Sequence, residues 1–211
     1  EEDPPQNLNC KLVDNFAIFV QVTLASIALG SLLIKRAREN PRRPLVVWGF
    51  DTSKQALAAG GVHFSNVVIA YFSGKKSEES ANPCIWYFLN ILLDTTIGVG
   101  FLFGFLRGLH YIAGRLHVTE ITSGQYGNPP RLTAWFKQFV LFLTAWFFVK
   151  LTVVILLDVF PFFAEFAKWL LAPLARSGDT RLQVIVVMLI FPLIMNICQA
   201  WLIDTIIRSS V

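Results

Sequence analysis

Five long stretches of the chain are apolar, and short runs dense in charge, Gly and Pro separate them. They cover about 14–34, 51–72, 84–109, 132–157 and 182–207. Each supplies the roughly 20 residues that a helix needs to cross about 30 Å of hydrocarbon. The pattern predicts an all-α fold: a polytopic transmembrane helical bundle of about five spans, forming one domain over 1–211. A further apolar stretch, Phe160 to Leu174, holds Glu165, Lys168 and Trp169 and stops at Pro173. It is short and mixed for a crossing, so it reads as an interfacial helix before the last span, or a continuation of the fourth. Gly100, Gly104 and Gly108 recur at a spacing that lets helix backbones approach closely, and they predict a packing face on the third span. Gly124, Gly127 and Pro129–Pro130 interrupt any helix between the third and fourth spans.

The second span breaks the apolar rule. Trp48 to Asn66 reads WGFDTSKQALAAGGVHFSN. At helical periodicity Gln55 and Asn66 fall almost on one line, flanked by Asp51 and His63, with Ala59 between them. Such a stripe turns away from lipid, toward partners in a bundle or a water-filled cavity. Helix rise sets the depth of those partners. Gln21 on the first span, His63 and Asn66 on the second, Asn90 and Asp94 on the third and Lys150 on the fourth lie roughly 6–15 Å from one end of their spans. A lone charge at that depth costs several kcal/mol, so pairing is expected. Asp94 with Lys150 is the expected pair, with Gln21, His63, Asn66 and Asn90 completing hydrogen bonds. A second polar level lies at the other end, where Asp204 on the fifth span meets Lys54 on the second.

Three uses of this layer are open. It fixes helix partners and register, it holds a lipid headgroup or transported ligand, or it performs chemistry. His63, Asp94 and Lys150 would make an acid–base set. However, no HxxEH or GxSxG motif accompanies them, so no catalytic residue is assigned and the protein is expected not to be an enzyme. One intramembrane His and three scattered Cys do not make a metal-ligand set, so neither metal nor cofactor is expected. His110 and His117 fall at the loop after the third span and read as solvated.

Composition supports the membrane reading. The chain is 55% hydrophobic and only 15% charged. Its net charge of +4 comes from loops beside the spans, above all Lys35, Arg36, Arg38, Arg42 and Arg43. That bias places the N-terminus in the lumen and the C-terminus in the cytosol. No basic run is interleaved with aromatics in a soluble domain, so nucleic acid is not an expected partner; membrane lipids are. The chain begins at Glu1 without a Met and ends at Val211 just after a span, so both ends are expected to be trimmed. On this topology Cys10 and Cys84 both lie just outside the membrane on the lumenal side. They form either a disulfide or two interfacial thiols. Cys198 reads as a small core residue.

Several motifs in order carry a resemblance: FAIFVQ at 16–21, FDTSKQ at 50–55, His63 with Asn66, NPC at 82–84, LNILLDTTIG at 89–98, SGQYGNP at 123–129, VMLIFPLIMN at 187–196 and WLIDTII at 201–207. The chain resembles the STIMATE family over nearly its whole length. That family holds the animal store-operated calcium entry regulator and fungal vacuolar membrane proteins. The resemblance implies a multipass protein of the endoplasmic reticulum or vacuolar membrane. It implies a non-enzymatic regulator or adaptor in calcium-store signalling or membrane contact-site organisation. A second membrane protein is implied as partner, a STIM-type calcium sensor in animal relatives. The resemblance implies a long charged tail after the last span in the animal protein; the present sequence stops at Val211. The alternative is a lipid-binding or transport protein using the polar residues around an intramembrane cavity.

Overall fold

The computed structural model describes residues 15–76, 83–176 and 185–209. Every regular element in them is helical: α1 (Asn15–Ala37), α2 (Leu45–Lys76), α3 (Pro83–Thr95), α4 (Ile97–Arg115), α5 (Leu132–Val159), α6 (Phe162–Arg176), a π-helical turn (Val186–Ile190) and α7 (Phe191–Ser209). Four described helical stretches are long and apolar enough to cross a membrane: Phe19–Ala37, Ile97–Arg115, Leu132–Val159 and Val186–Arg208. The helix of the second expected span, α2, is the longest, at 32 residues, and it carries the polar stripe.

The core forms where α3, α4 and α5 meet. Leu89, Leu102, Ala145, Val149 and Val153 are fully buried there. Gly98 on α4 lies close against Val149 on α5, while Phe136, Phe147 and Leu151 of α5 stay exposed. For a bundle in lipid that outer face is the solvated one, so its apolarity is expected. The α1 helix packs along α7 and touches α2 only sparingly.

The structure corrects four expectations. The third stretch is not one helix over 84–109 but two, broken at Thr96. Thr95 Oγ1 donates to the Ile91 carbonyl at 2.8 Å and Thr96 Oγ1 to the Leu92 carbonyl at 2.5 Å. Adjacent threonines bonding back to their own helix compete with its ladder and bend it. Second, the glycine spacing misleads. A Cβ at Gly100, Gly104 or Gly108 would meet nothing within 4 Å. The tight glycine is Gly98, just after the break, where a Cβ would lie 3.1 Å from the Leu93 carbonyl oxygen and 3.3 Å from Val149 Cγ1. Third, Pro173 does not end the helix begun at Phe162, which runs on to Arg176. At 15 residues α6 spans roughly 22 Å, too short to cross; it packs on α3 with Phe162 and Trp169 exposed. Fourth, His110 is not simply solvated: its ring nitrogens meet the Leu106 and Ile121 carbonyls, tying α4 to the following loop.

Gly98→Val is expected to destabilise the bundle by about 1–3 kcal/mol through overpacking at the α4–α5 crossing. Gly104→Val is expected to leave it within about 1 kcal/mol of the parent. Denaturant unfolding in detergent, followed by Trp fluorescence, compares the two.

Candidate functional site

Two polar clusters lie inside the bundle, one toward each end. The first joins α2, α3 and α5. Lys150 Nζ lies 2.6 Å from Asp94 Oδ2, and it also donates to Asn66 Oδ1. Asn66 Nδ2 closes the triangle on Asp94 Oδ2 at 3.1 Å. From α7, Gln199 Nε2 donates to the Asp94 backbone carbonyl at 3.4 Å, beside the Thr96 break. The other residues expected here do not bond to the pair. Asn90 is fully buried but donates to the Trp86 carbonyl at 2.9 Å, and its Oδ1 finds no partner in the chain. His63 sits edge-on to Tyr87, with ring centroids 6.3 Å apart. Gln21 lies on α1, in the wall of the cavity described below.

The second cluster ties the basic loop to α1, α2 and α7. Lys54 and Asp204 do not pair, contrary to the sequence expectation. Arg43, from the loop between α1 and α2, stands between them. It reaches Asp204 Oδ1 at 2.8 Å, Asp51 Oδ2 at 3.3 Å and Glu39 Oε1 at 2.5 Å. Lys35 takes the other oxygen of Asp204 at 2.9 Å, and Lys54 lies 3.2 Å from Asp51 Oδ1. Three acids thus face three bases, and the cluster is neutral. Lys54 also donates to Gln138 Oε1 on α5 at 2.9 Å.

Tyr126 completes this cluster from the loop before α5. Gly124 and Gly127 flank it with φ of +83° and +87°, values that favour glycine, and the chain between them turns its ring inward. Its hydroxyl donates to Asp51 Oδ1 at 2.5 Å and its ring lies under Lys54 at 5.1 Å. Burial, then the Asp51 charge and hydrogen bond, push the Tyr126 hydroxyl well above its ordinary pKa. Burial alone would raise Glu39 as well, but the hydrogen bonds and charge of Arg43 outweigh it and hold the carboxyl below the usual 4.5. Glu39, Arg43, Lys35 and Tyr126 were absent from the sequence expectation. Lys35 and Arg43 read only as part of the basic loop, and the SGQYG motif, glycines bracketing one aromatic, was the visible signal of Tyr126.

A cavity of about 340 Å³ lies among α1, α2, α3 and α7. It follows the α2 stripe, from Gln55 past Ala59 and His63 to Asn66, and Asp94 lies in its wall. Four polar atoms of these lining residues are buried with no hydrogen-bond partner in the chain: Asp94 Oδ1, His63 Nε2 and both amide heteroatoms of Gln55. Asp94 and Gln55 are 2% and 6% exposed. Val22 and Ala25 on α1, with Ala59 and Gly60 on α2, line the cavity and are exposed. All four sit far from the helix ends, where α1 and α2 are sparsely packed. The cavity therefore opens sideways between α1 and α2, partway along both helices. His63 and Asp94 share the cavity but not a hydrogen bond. Among the described residues no group of three His, Cys, Asp or Glu side chains could hold a metal ion. Cys10 lies outside the described residues, and so does its pairing with Cys84; Cys198, expected in the core, is exposed on α7.

The fold and this site define a multipass helical membrane protein with a polar, laterally open interior. The family model for the STIMATE family matches residues 84–209. A vacuolar membrane protein of Saccharomyces cerevisiae is 32% identical over 219 residues, covering 94% of this chain and 79% of the yeast one. The chain belongs to the STIMATE family. No solved structure matches it.

Two outcomes test the clusters. Asp94→Asn leaves Lys150 with no counter-charge and is expected to cost about 3–5 kcal/mol; adding Lys150→Met should recover part of it. Detergent-extracted yield and unfolding midpoint read both variants, and a double mutant no better than the single refutes the pairing. In the second cluster Glu39 is the acid-sensitive member. Its depressed carboxyl contributes stability that is present above its ordinary value of 4.5 and lost as pH falls through the lower folded value. Unfolding midpoints measured from pH 7 down to about 3 should fall less steeply in Glu39→Gln than in the parent.

Proposed function

We propose that this STIMATE-family protein is a non-enzymatic membrane protein that binds a lipid within its bundle. The carrying observation is the cavity: open sideways between α1 and α2, yet lined by the unpartnered polar atoms of Asp94, His63 and Gln55. A network that served only to fix helix register would have its groups paired, as those of the basic-loop cluster are. A site reached from an aqueous face would open at a helix end. This one opens where lipid chains lie, and its volume falls in the range of small-molecule sites.

Family membership supports a second reading, compatible with the first. As a regulator or adaptor the protein supports calcium-store signalling or contact-site organisation, with another membrane protein as partner. The yeast relative supports a vacuolar membrane setting, and the resemblance to animal members an endoplasmic reticulum one. The basic loop supports an N-terminus in the lumen and a C-terminus in the cytosol.

Native mass spectrometry of protein extracted gently from its own membrane tests the lipid reading. The expected result is a lipid retained at one per chain and lost in Ala59→Trp, which fills the mouth without touching either charged cluster. An empty parent protein, or a lipid retained equally by the blocked variant, overturns it.

A further inference from the structure

The cavity is selective about charge. Among the described residues no Lys or Arg lines it. The nearby cation Lys150 is held by Asp94 and Asn66. A phosphate would enter with no cation to meet it and would face the Asp94 carboxylate. An ammonium would bring a second cation to a carboxylate already neutralised by Lys150. In a low-dielectric site either charge stands uncompensated, so charged headgroups are disfavoured.

What Asp94 Oδ1 lacks is a donor. Asp94 Oδ2 accepts from both Lys150 and Asn66, while Oδ1 accepts nothing from the chain. An ionised carboxylate is acceptor only, so the group that completes Oδ1 must bring its own hydrogen. Beyond this end the slot turns apolar. Ala25 and Ala28 on α1 face Ala56 and Ala59 on α2, and Gln55 lies roughly 16 Å of helix rise from Asn66. The slot follows α2 from Gln55 to Asn66, with its strongest acceptor at the Asn66 end.

Resting on the lipid-binding reading above, we infer that the cavity takes a neutral lipid bearing a free hydroxyl. Its O–H donates to Asp94 Oδ1, and its apolar body lies along the alanine-lined slot. Sterols and diacylglycerols share that chemistry.

Photo-crosslinkable analogues of a sterol and of a diacylglycerol, each added to the full protein in phosphatidylcholine nanodiscs, test the class. Changing the ligand leaves the fold untouched. Each label is competed with its unlabelled parent alcohol, with a form lacking the donor (the sterol ketone, the diacylglycerol methyl ether) and with the phosphate ester. The alcohol is expected to compete about tenfold or more better than the donor-less form, the loss of one hydrogen bond to a charged acceptor. The phosphate ester should compete no better than the donor-less form. Crosslinks should map to α1 and α2. Whichever label is captured names the source. Equal competition by alcohol and donor-less form overturns the hydroxyl assignment. Preference for the phosphate ester, or for an added sphingoid amine, overturns the neutral class. The two proposals fail separately: a charged lipid retained in native mass spectrometry sinks this inference alone, while an empty protein sinks the lipid-binding reading itself.

Discussion

A charge inside hydrocarbon must be met by another, and in this bundle that rule is concentrated on Asp94 and Lys150. At 2.6 Å, with Asn66 bonded to both, the pair fixes the register of α2, α3 and α5. Its value is positional. Removing two ions from water costs nearly what their attraction returns, so the pair adds little net stability, while losing either partner is expensive. The helices cannot slide past one another without orphaning an ion. The Thr96 break is part of the same arrangement. It ends α3 just after Asp94, and Gln199 from α7 donates to the Asp94 carbonyl there.

The basic-loop cluster obeys the same rule by a different route. Its three acids and three bases come from α1, α2, α7 and the loop between α1 and α2. Tyr126 seals it from a second loop, and Lys54 reaches α5 through Gln138. Lys35 to Asp204 and Trp201 to Ser31 hold α1 against α7. Arg43 links the α1–α2 loop to Asp51 and Asp204. Farther along, no ion pair among the described residues links α1 to α2, and the two helices are sparsely packed. The seam between them is closed at one end and loose midway, and the side opening of the cavity follows from that.

The sequence disclosed features set by periodicity and depth. Helix rise alone brought Asp94, Lys150 and Asn66 to one level, and the α2 stripe from Gln55 to Asn66 is the wall of the cavity. It did not disclose features set by loops. Lys54 and Asp204 lie at matching depth, but Arg43 comes from a segment whose path no periodicity reports, and it takes the place between them. Tyr126 was hidden for the same reason. Gly98 and the Thr96 break failed differently. Small-residue spacing says where a helix can be approached, not which neighbour approaches, so the regular Gly100–Gly104–Gly108 face stayed open while the irregular glycine carries the contact.

The two clusters also differ in completeness, and that difference bears on function. The basic-loop cluster shows that this chain can pair six charges, four of them buried. Holding α2, α3 and α5 in register needs only Asp94 Oδ2, which already has two partners. Neither register nor packing accounts for Asp94 Oδ1, or for a Gln55 amide that is buried and unbonded at the far end of the same slot. Burying such groups unpaired costs about 1–3 kcal/mol each, more for a charged one, and an alanine or leucine at position 55 would avoid it. On the lipid-binding proposal, what enters between α1 and α2 offsets that cost. On that proposal the cavity is the site, and the ion pair beside it is the frame that holds one of its walls in place.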